Sequence, residues 1–247
     1  MSEPQEDSFI SHLVELRDRL LRAVVAVVVV FVCLMPWAGD IYDILAHPMM
    51  TALPEGTKMI ATGVVTPFFV PMKVTLLVAF VIALPFVLYQ AWCFIAPGLY
   101  AHEKRLGLPL VVGSTVLFLA GMAFCYFFVF GTVFKFIAQF APKSITPAPD
   151  IEQYLAFVMS MFLAFGITFE VPVIVIVLVK LGIVDVAKLK EARPYVIVGA
   201  FVIAAVVTPP DVVSQLMLAV PMCLLYELGI FLSRFVTRTR VDEVASS

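Results

Sequence analysis

The chain has 247 residues, of which 62% are hydrophobic and 14% charged. With a mean hydropathy of +1.07, this balance excludes a soluble globular domain and predicts an all-α, polytopic membrane protein. The net charge of −2 hides an uneven placement of its basic residues.

The opening MSEPQEDSFISHL lacks the charged-then-apolar pattern of a cleaved signal peptide, and it is not the Arg-rich, acid-poor pattern of a transit peptide. Residues 9–22 predict a short amphipathic helix at the membrane face. Leu13, Leu16 and Leu20 form its apolar stripe, with Glu15 four residues before Arg19 and Asp18 four before Arg22. It leads into a first span at about residues 21–38. Residues 39–71 are half polar, and the apolar spacing of IYDILAHPMM predicts a short helix capping the membrane surface.

A second span covers residues 72–96 and contains Pro85. The third runs over 106–134, where Gly113, Gly121 and Gly131 are expected to permit close helix contact. The Pro-rich loop APKSITPAPD leads to the fourth, 154–180, which is apolar for about twenty-five residues except at Glu170. At ~1.5 Å of rise per residue it can cross a ~30 Å hydrocarbon core. An ionised carboxylate inside it would cost a few kcal/mol or more. Glu170 therefore reads either as a protonated group bonding between helices or as a working polar site, and Pro172 beyond it favours a kink.

The fifth apolar run, 195–207, rises only ~20 Å and falls short of a hydrocarbon core. Thr208-Pro209-Pro210-Asp211 turns the chain into a sixth span at 212–232, which carries Ser214, Gln215 and Glu227; the fifth and sixth helices are both expected to be short, and residues 237–247 read as a flexible tail. No internal repeat is present, so the six spans read as one domain over 1–247. Twelve of the 16 Lys and Arg residues fall in the N-terminal segment, the loops at 97–108 and 180–194, and the C-terminal stretch after residue 232. Positive charge marks the cytoplasmic side, so both termini are expected there.

The three histidines lie outside the spans, and GxSxG, HExxH and paired membrane aspartates are all missing. The four cysteines sit in apolar runs without CxxC spacing. An enzyme, a metal site or a cofactor is not expected. Two acids on the positive side remain, Glu15 and Glu103. Each reads either as a solvated partner of a neighbouring base (Arg19, Lys104) or as an acceptor for a cationic ligand, since guanidinium groups bind carboxylates bidentately.

The segments HLVELRDRL (12–20), FIAPGLYAHEKR (94–105), FGITFEVP (165–172), RPY (193–195), TPPDVVSQ (208–215) and PMCLLYE (221–227) together resemble the TatC family. This is the multispanning core of the twin-arginine protein translocase, and the likeness is to its proteobacterial members. The resemblance implies a receptor in the bacterial inner membrane for folded cargo proteins bearing twin-arginine signal peptides. On it, Glu15 and Glu103 would receive the arginine pair, with Arg17, Phe94 and Pro97 shaping the surface. Pro48 would lie in a periplasmic cap and Glu170 in a concave membrane face. Thr208, Asp211 and Gln215 would belong to the fifth/sixth-helix hairpin that docks the single-span partners TatA and TatB. It further implies self-association in a multi-subunit receptor complex, transport driven by the proton motive force, and no nucleic-acid partner. The alternative is a proton-coupled small-molecule transporter using Glu170, which predicts paired repeats and broken helices that the sequence lacks.

Overall fold

A computed structural model of the chain describes residues 3–52, 58–95, 104–140, 148–208 and 211–245. Helix α1 (Glu3–Leu34) passes through a 3₁₀ turn at Met35–Trp37 into α2 (Ala38–Ala52). Next come α3 (Thr66–Ile95) and α4 (Lys104–Phe124), the latter continued by a wide π turn at Cys125–Val129 and by α5 (Phe130–Phe140). The remainder is α6 (Ile151–Lys180), α7 (Val186–Glu191), α8 (Arg193–Val207) and α9 (Val212–Ala245).

Breakers in the sequence explain most of these limits. Nothing between Gln5 and Met35 is Gly or Pro, so the amphipathic segment and the first span form one helix. Pro67 near the start of α3 sits where its missing N–H is no loss. The last helix is not short as expected: it has 34 residues and runs through Ala245, across residues expected to form a flexible tail. From Ile230 onward it meets neither Gly nor Pro to stop it. Five stretches are long and apolar enough to cross a membrane: His12–Thr51, Thr66–Ile95, Gly107–Ile137, Ile151–Lys180 and Val212–Phe235. The sixth, α8, has 15 residues and rises only ~22 Å.

Packing divides the chain into two compact units, Met1–Ile41 with Pro71–Thr115, and Tyr42–Val70 with Val116–Ser247. In the first, Val74 and Leu84 of α3 and Val111 of α4 are buried, and Trp92 Nε1 of α3 donates to the buried Ser114 Oγ of α4 at 2.8 Å. Helix α1 buries Ala23 yet exposes Leu20, Val24, Val25, Val28 and Val32. Such an apolar surface suits lipid better than water.

The second unit is built around α6. Helix α9 lies along it, with Gly229 so close that a Cβ there would stand 3.0 Å from Pro172 Cα. Helix α4 approaches through Gly121, whose added Cβ would stand 2.5 Å from the Phe165 carbonyl oxygen, and a Cβ on Gly166 would fall on the Phe118 ring. The expected close contacts at Gly113 and Gly131 do not form: neither has another atom within 4 Å of an added Cβ. Both lie on helix faces turned away from any neighbouring described helix. Beyond the π turn, Phe130 and Phe134 stack against one another and pack on Phe157, Phe162 and Tyr154 of α6.

Helix α6 ends in a Schellman motif. Gly182 takes a left-handed φ of 72°, Ile183 N–H donates to Leu178 O at 3.0 Å, and Gly182 N–H to Val179 O at 3.0 Å. The reversed chain closes a cluster of Val175, Val179, Leu189, Tyr226 and Ile230. There Tyr226 donates to the Leu189 carbonyl at 2.8 Å, while Arg193 Nη2 meets Glu227 Oε2 at 2.6 Å.

Candidate functional site

In the first unit the conserved geometry of a helix places Glu15 and Arg19 one turn apart on the same face. Arg19 donates to Glu15 Oε1 from Nε at 2.8 Å and from Nη2 at 2.6 Å. The Glu15 side chain is 41% exposed and that of Arg19 24%. One turn earlier, His12 stacks on Phe94 of α3, ring centroids 4.4 Å apart and planes within 18°. This contact sets the start of α1 against the end of α3. Arg17 points elsewhere, bonded at 2.9 Å to Asp18 with 67% of its side chain exposed. Glu15 and Phe94 are thus brought to one face. Glu103 and Pro97 lie outside the described residues.

Sequence reasoning paired Glu15 with Arg19 but missed Gln90. Buried on α3, it faces Arg19 Nη1 at 3.5 Å. Four residues before Phe94, it carries no local signal of this role.

Glu170 lies in the middle of α6 and is 7% exposed. Buried Thr168 and Pro172 flank it, and among the described residues the Thr168 hydroxyl has no hydrogen-bond partner. The carboxylate is therefore enclosed by protein.

At the α8–α9 turn, Thr208 is buried and its hydroxyl donates back to the Ala204 carbonyl at 2.8 Å. Asp211 caps α9, its Oδ1 accepting from Ser214 N–H at 2.7 Å. Gln215 Nε2 donates to the Phe201 carbonyl at 3.3 Å, which ties the two helices together. These polar groups mostly serve the hairpin itself. Its outward surface is apolar, at Ile203, Val206, Val212 and Leu216.

Pro48 sits inside α2. Having no N–H, it leaves the Ile44 carbonyl without its helical donor. Tyr126 supplies one, its hydroxyl 3.2 Å from Ile44 O, and Tyr154 of α6 donates to the next carbonyl, Leu45 O, at 2.8 Å. The same end of α6 is capped by Asp150. Its Oδ1 accepts from the N–H groups of Glu152 (2.8 Å) and Gln153 (3.2 Å), and its Oδ2 from Thr62 Oγ1 (2.6 Å) and N–H (3.1 Å). A parallel bridge between Ile60 and Asp150 completes the join. The Thr62 hydroxyl foremost, then the backbone donors, hold the Asp150 carboxyl below the usual carboxylate range against the opposing effect of desolvation.

Comparison with known proteins places this arrangement among protein translocases. The family model described as TatC, Sec-independent protein translocase protein, matches residues 11–221. The TatC protein of Escherichia coli (strain K12) is 50% identical over 235 residues, covering 95% of this chain and 91% of that one. The Haemophilus influenzae protein of the same name is 53% identical over 231 residues, covering 94% and 90%. A crystal structure of the twin arginine translocase receptor TatC superposes with a TM-score of 0.80 at 40% identity, covering 92% of this chain and 99% of that one.

Proposed function

Because this chain belongs to the TatC family of Sec-independent protein translocase components, a multi-pass membrane group without catalytic activity, we propose that it binds twin-arginine signal peptides of folded cargo through Glu15 and Glu103. The observation that carries the reading is the state of Glu15. It is a half-exposed carboxylate at the start of a membrane helix, beside the stacked pair His12 and Phe94. Charge-assisted bonds to guanidinium are among the strongest a protein surface offers. Phe94 borders this surface, to which the family likeness also assigns Arg17 and Pro97, and it faces the cytoplasm along with both termini. The membrane is the bacterial inner membrane, and the proton motive force drives transport.

On the same proposal, TatA and TatB are the single-span partners. They dock at the short α8–α9 hairpin near Thr208, Asp211 and Gln215, where ~22 Å of helix would thin the bilayer or need a partner to complete it. Pro48 belongs to the periplasmic cap, Glu170 is the polar group of the membrane face, and several copies assemble in one receptor complex. The membership leaves no place for a small-molecule transporter built on Glu170.

Photocrosslinking to a signal peptide from positions beside Glu15 tests the receptor reading. A peptide with both arginines should crosslink, one with two lysines should do so more weakly, and Glu103→Lys should abolish the crosslink at normal membrane levels. Unchanged crosslinking in both Glu15→Ala and Glu103→Ala would overturn it.

A further inference from the structure

Both guanidinium donors that Arg19 presents to Glu15 end on the same oxygen, Oε1, and among the described residues Oε2 receives none. The third nitrogen, Nη1, faces buried Gln90 on α3 at 3.5 Å. An i,i+4 ion pair on an exposed helix is weak alone. Here the second anchor, on another helix, holds the guanidinium in place. Arg19 is the less exposed partner at 24% against 41%, so the carboxylate is the more accessible member of the pair.

We infer that Arg19 is a specificity-determining residue of the signal-peptide site, because by occupying Oε1 it leaves Glu15 a one-oxygen acceptor. The inference rests on the reading of Glu15 as an acceptor for a signal arginine. A fork-to-fork pair requires two free carboxylate oxygens. With one, the parallel two-oxygen pairing is lost, and a guanidinium keeps less of its advantage over an ammonium. Glu15 then supplies charge and location, and discriminates little between arginine and lysine at the position it meets. Freeing Oε1 lets a planar guanidinium engage both oxygens, an advantage lysine cannot share. Loss of Arg19 should therefore make the site choosier between the two.

The test uses the full chain in lipid nanodiscs and four signal peptides carrying Arg-Arg, Arg-Lys, Lys-Arg or Lys-Lys. In the wild type, the single-lysine peptide whose lysine meets Glu15 should bind within about twofold of Arg-Arg. In Arg19→Met the same peptide should fall behind by about threefold or more beyond that, the effect of roughly one additional hydrogen bond. Arg19→Lys, whose ammonium still covers one oxygen, should keep the wild-type ratio. Gln90→Leu loosens Arg19 without removing it and should give an intermediate ratio, which guards against a folding defect in the methionine variant. Glu15→Gln separates the two levels of the argument. If it weakens Arg-Arg binding while Arg19→Met leaves every ratio unchanged, the role of Arg19 is overturned and the receptor reading stands. If it leaves Arg-Arg binding intact, Glu15 is not an acceptor, and both its part in the receptor reading and the role of Arg19 fail.

Discussion

Glu15 and Asp150 are two carboxylates, one on the surface of α1 and one capping α6, used in opposite ways. Asp150 accepts four bonds spread over both oxygens, from its own helix and from the loop at Thr62. Glu15 accepts from one side chain on one oxygen and remains 41% exposed. A carboxylate with every lone pair engaged is part of the framework, because any ligand would have to displace bonds already made. One with an oxygen to spare at a surface can take a ligand without disturbing the fold. Carboxylates in such chains should be sorted by how far they are committed, since their sequence neighbourhoods look alike.

The sharpest way to break this comparison is to remove each acid in turn. Asp150→Ala should lower the thermal midpoint of the purified protein by roughly 5–10 °C, since it deletes a helix cap and the tie to Thr62 together. Glu15→Gln should move the midpoint by no more than about 1 °C while weakening signal-peptide binding by about tenfold. Crossed results, a destabilised Glu15→Gln with an unaffected Asp150→Ala, would reverse the assignment.

Acid should reach Asp150 through the same bonds. Its folded pKa is lowered, so its contribution is fully present above the ordinary carboxylate value near pH 4 and is lost as pH falls through the folded value. Proteolysis of residues 58–65 should accelerate below about pH 4, and Thr62→Val should bring that acceleration to higher pH. A pH profile identical to the wild type would show that the hydroxyl is not what holds the carboxylate.

Smaller effects sharpen the picture at the neighbouring tyrosines. Tyr154→Phe should destabilise by about 1 kcal/mol through its lost bond to Leu45 O. Tyr126→Phe should be less damaging, its hydroxyl lying nearer the surface, and its effect should depend on Pro48. In a Pro48→Ala background the new N–H can serve Ile44 O, so the same tyrosine change should shrink toward a few tenths of a kcal/mol. A double-mutant cycle with no coupling would refute the idea that Tyr126 answers the proline.

Much of the architecture could be read from runs and breakers. The long apolar stretches and the shortness of α8 both follow from local composition. Glu15 with Arg19 was equally legible, because a four-residue spacing on a helix is local information. What escaped is whatever depends on residues far apart in the chain. Gln90 lies 71 residues from Arg19 and Thr62 lies 88 from Asp150, and neither carries a periodic signal. Glycines misled for the same reason. Gly113, Gly121 and Gly131 are equivalent as sequence, yet only Gly121 meets another helix, and which face meets a neighbour is settled by packing. The π turn was likewise invisible, since CYFFV is as compatible with an ordinary α turn.

That wide turn gives the third membrane stretch slack. An α-helix rotates its faces by ~100° with every residue, whereas a π turn absorbs one extra residue while the outward order of the flanks is kept. Phe130 and Phe134 owe their seats on α6 to that absorbed residue. The stretch is thus one residue longer than its contacts demand, and it can lose one there. Deleting Phe127 or Phe128, both exposed, should relax the turn to α and leave the seats of Phe130 and Phe134 filled. The same deletion at Leu119 should swing them off α6 and cost the protein its assembly. Length, at this point in the chain, is a spare part held in reserve.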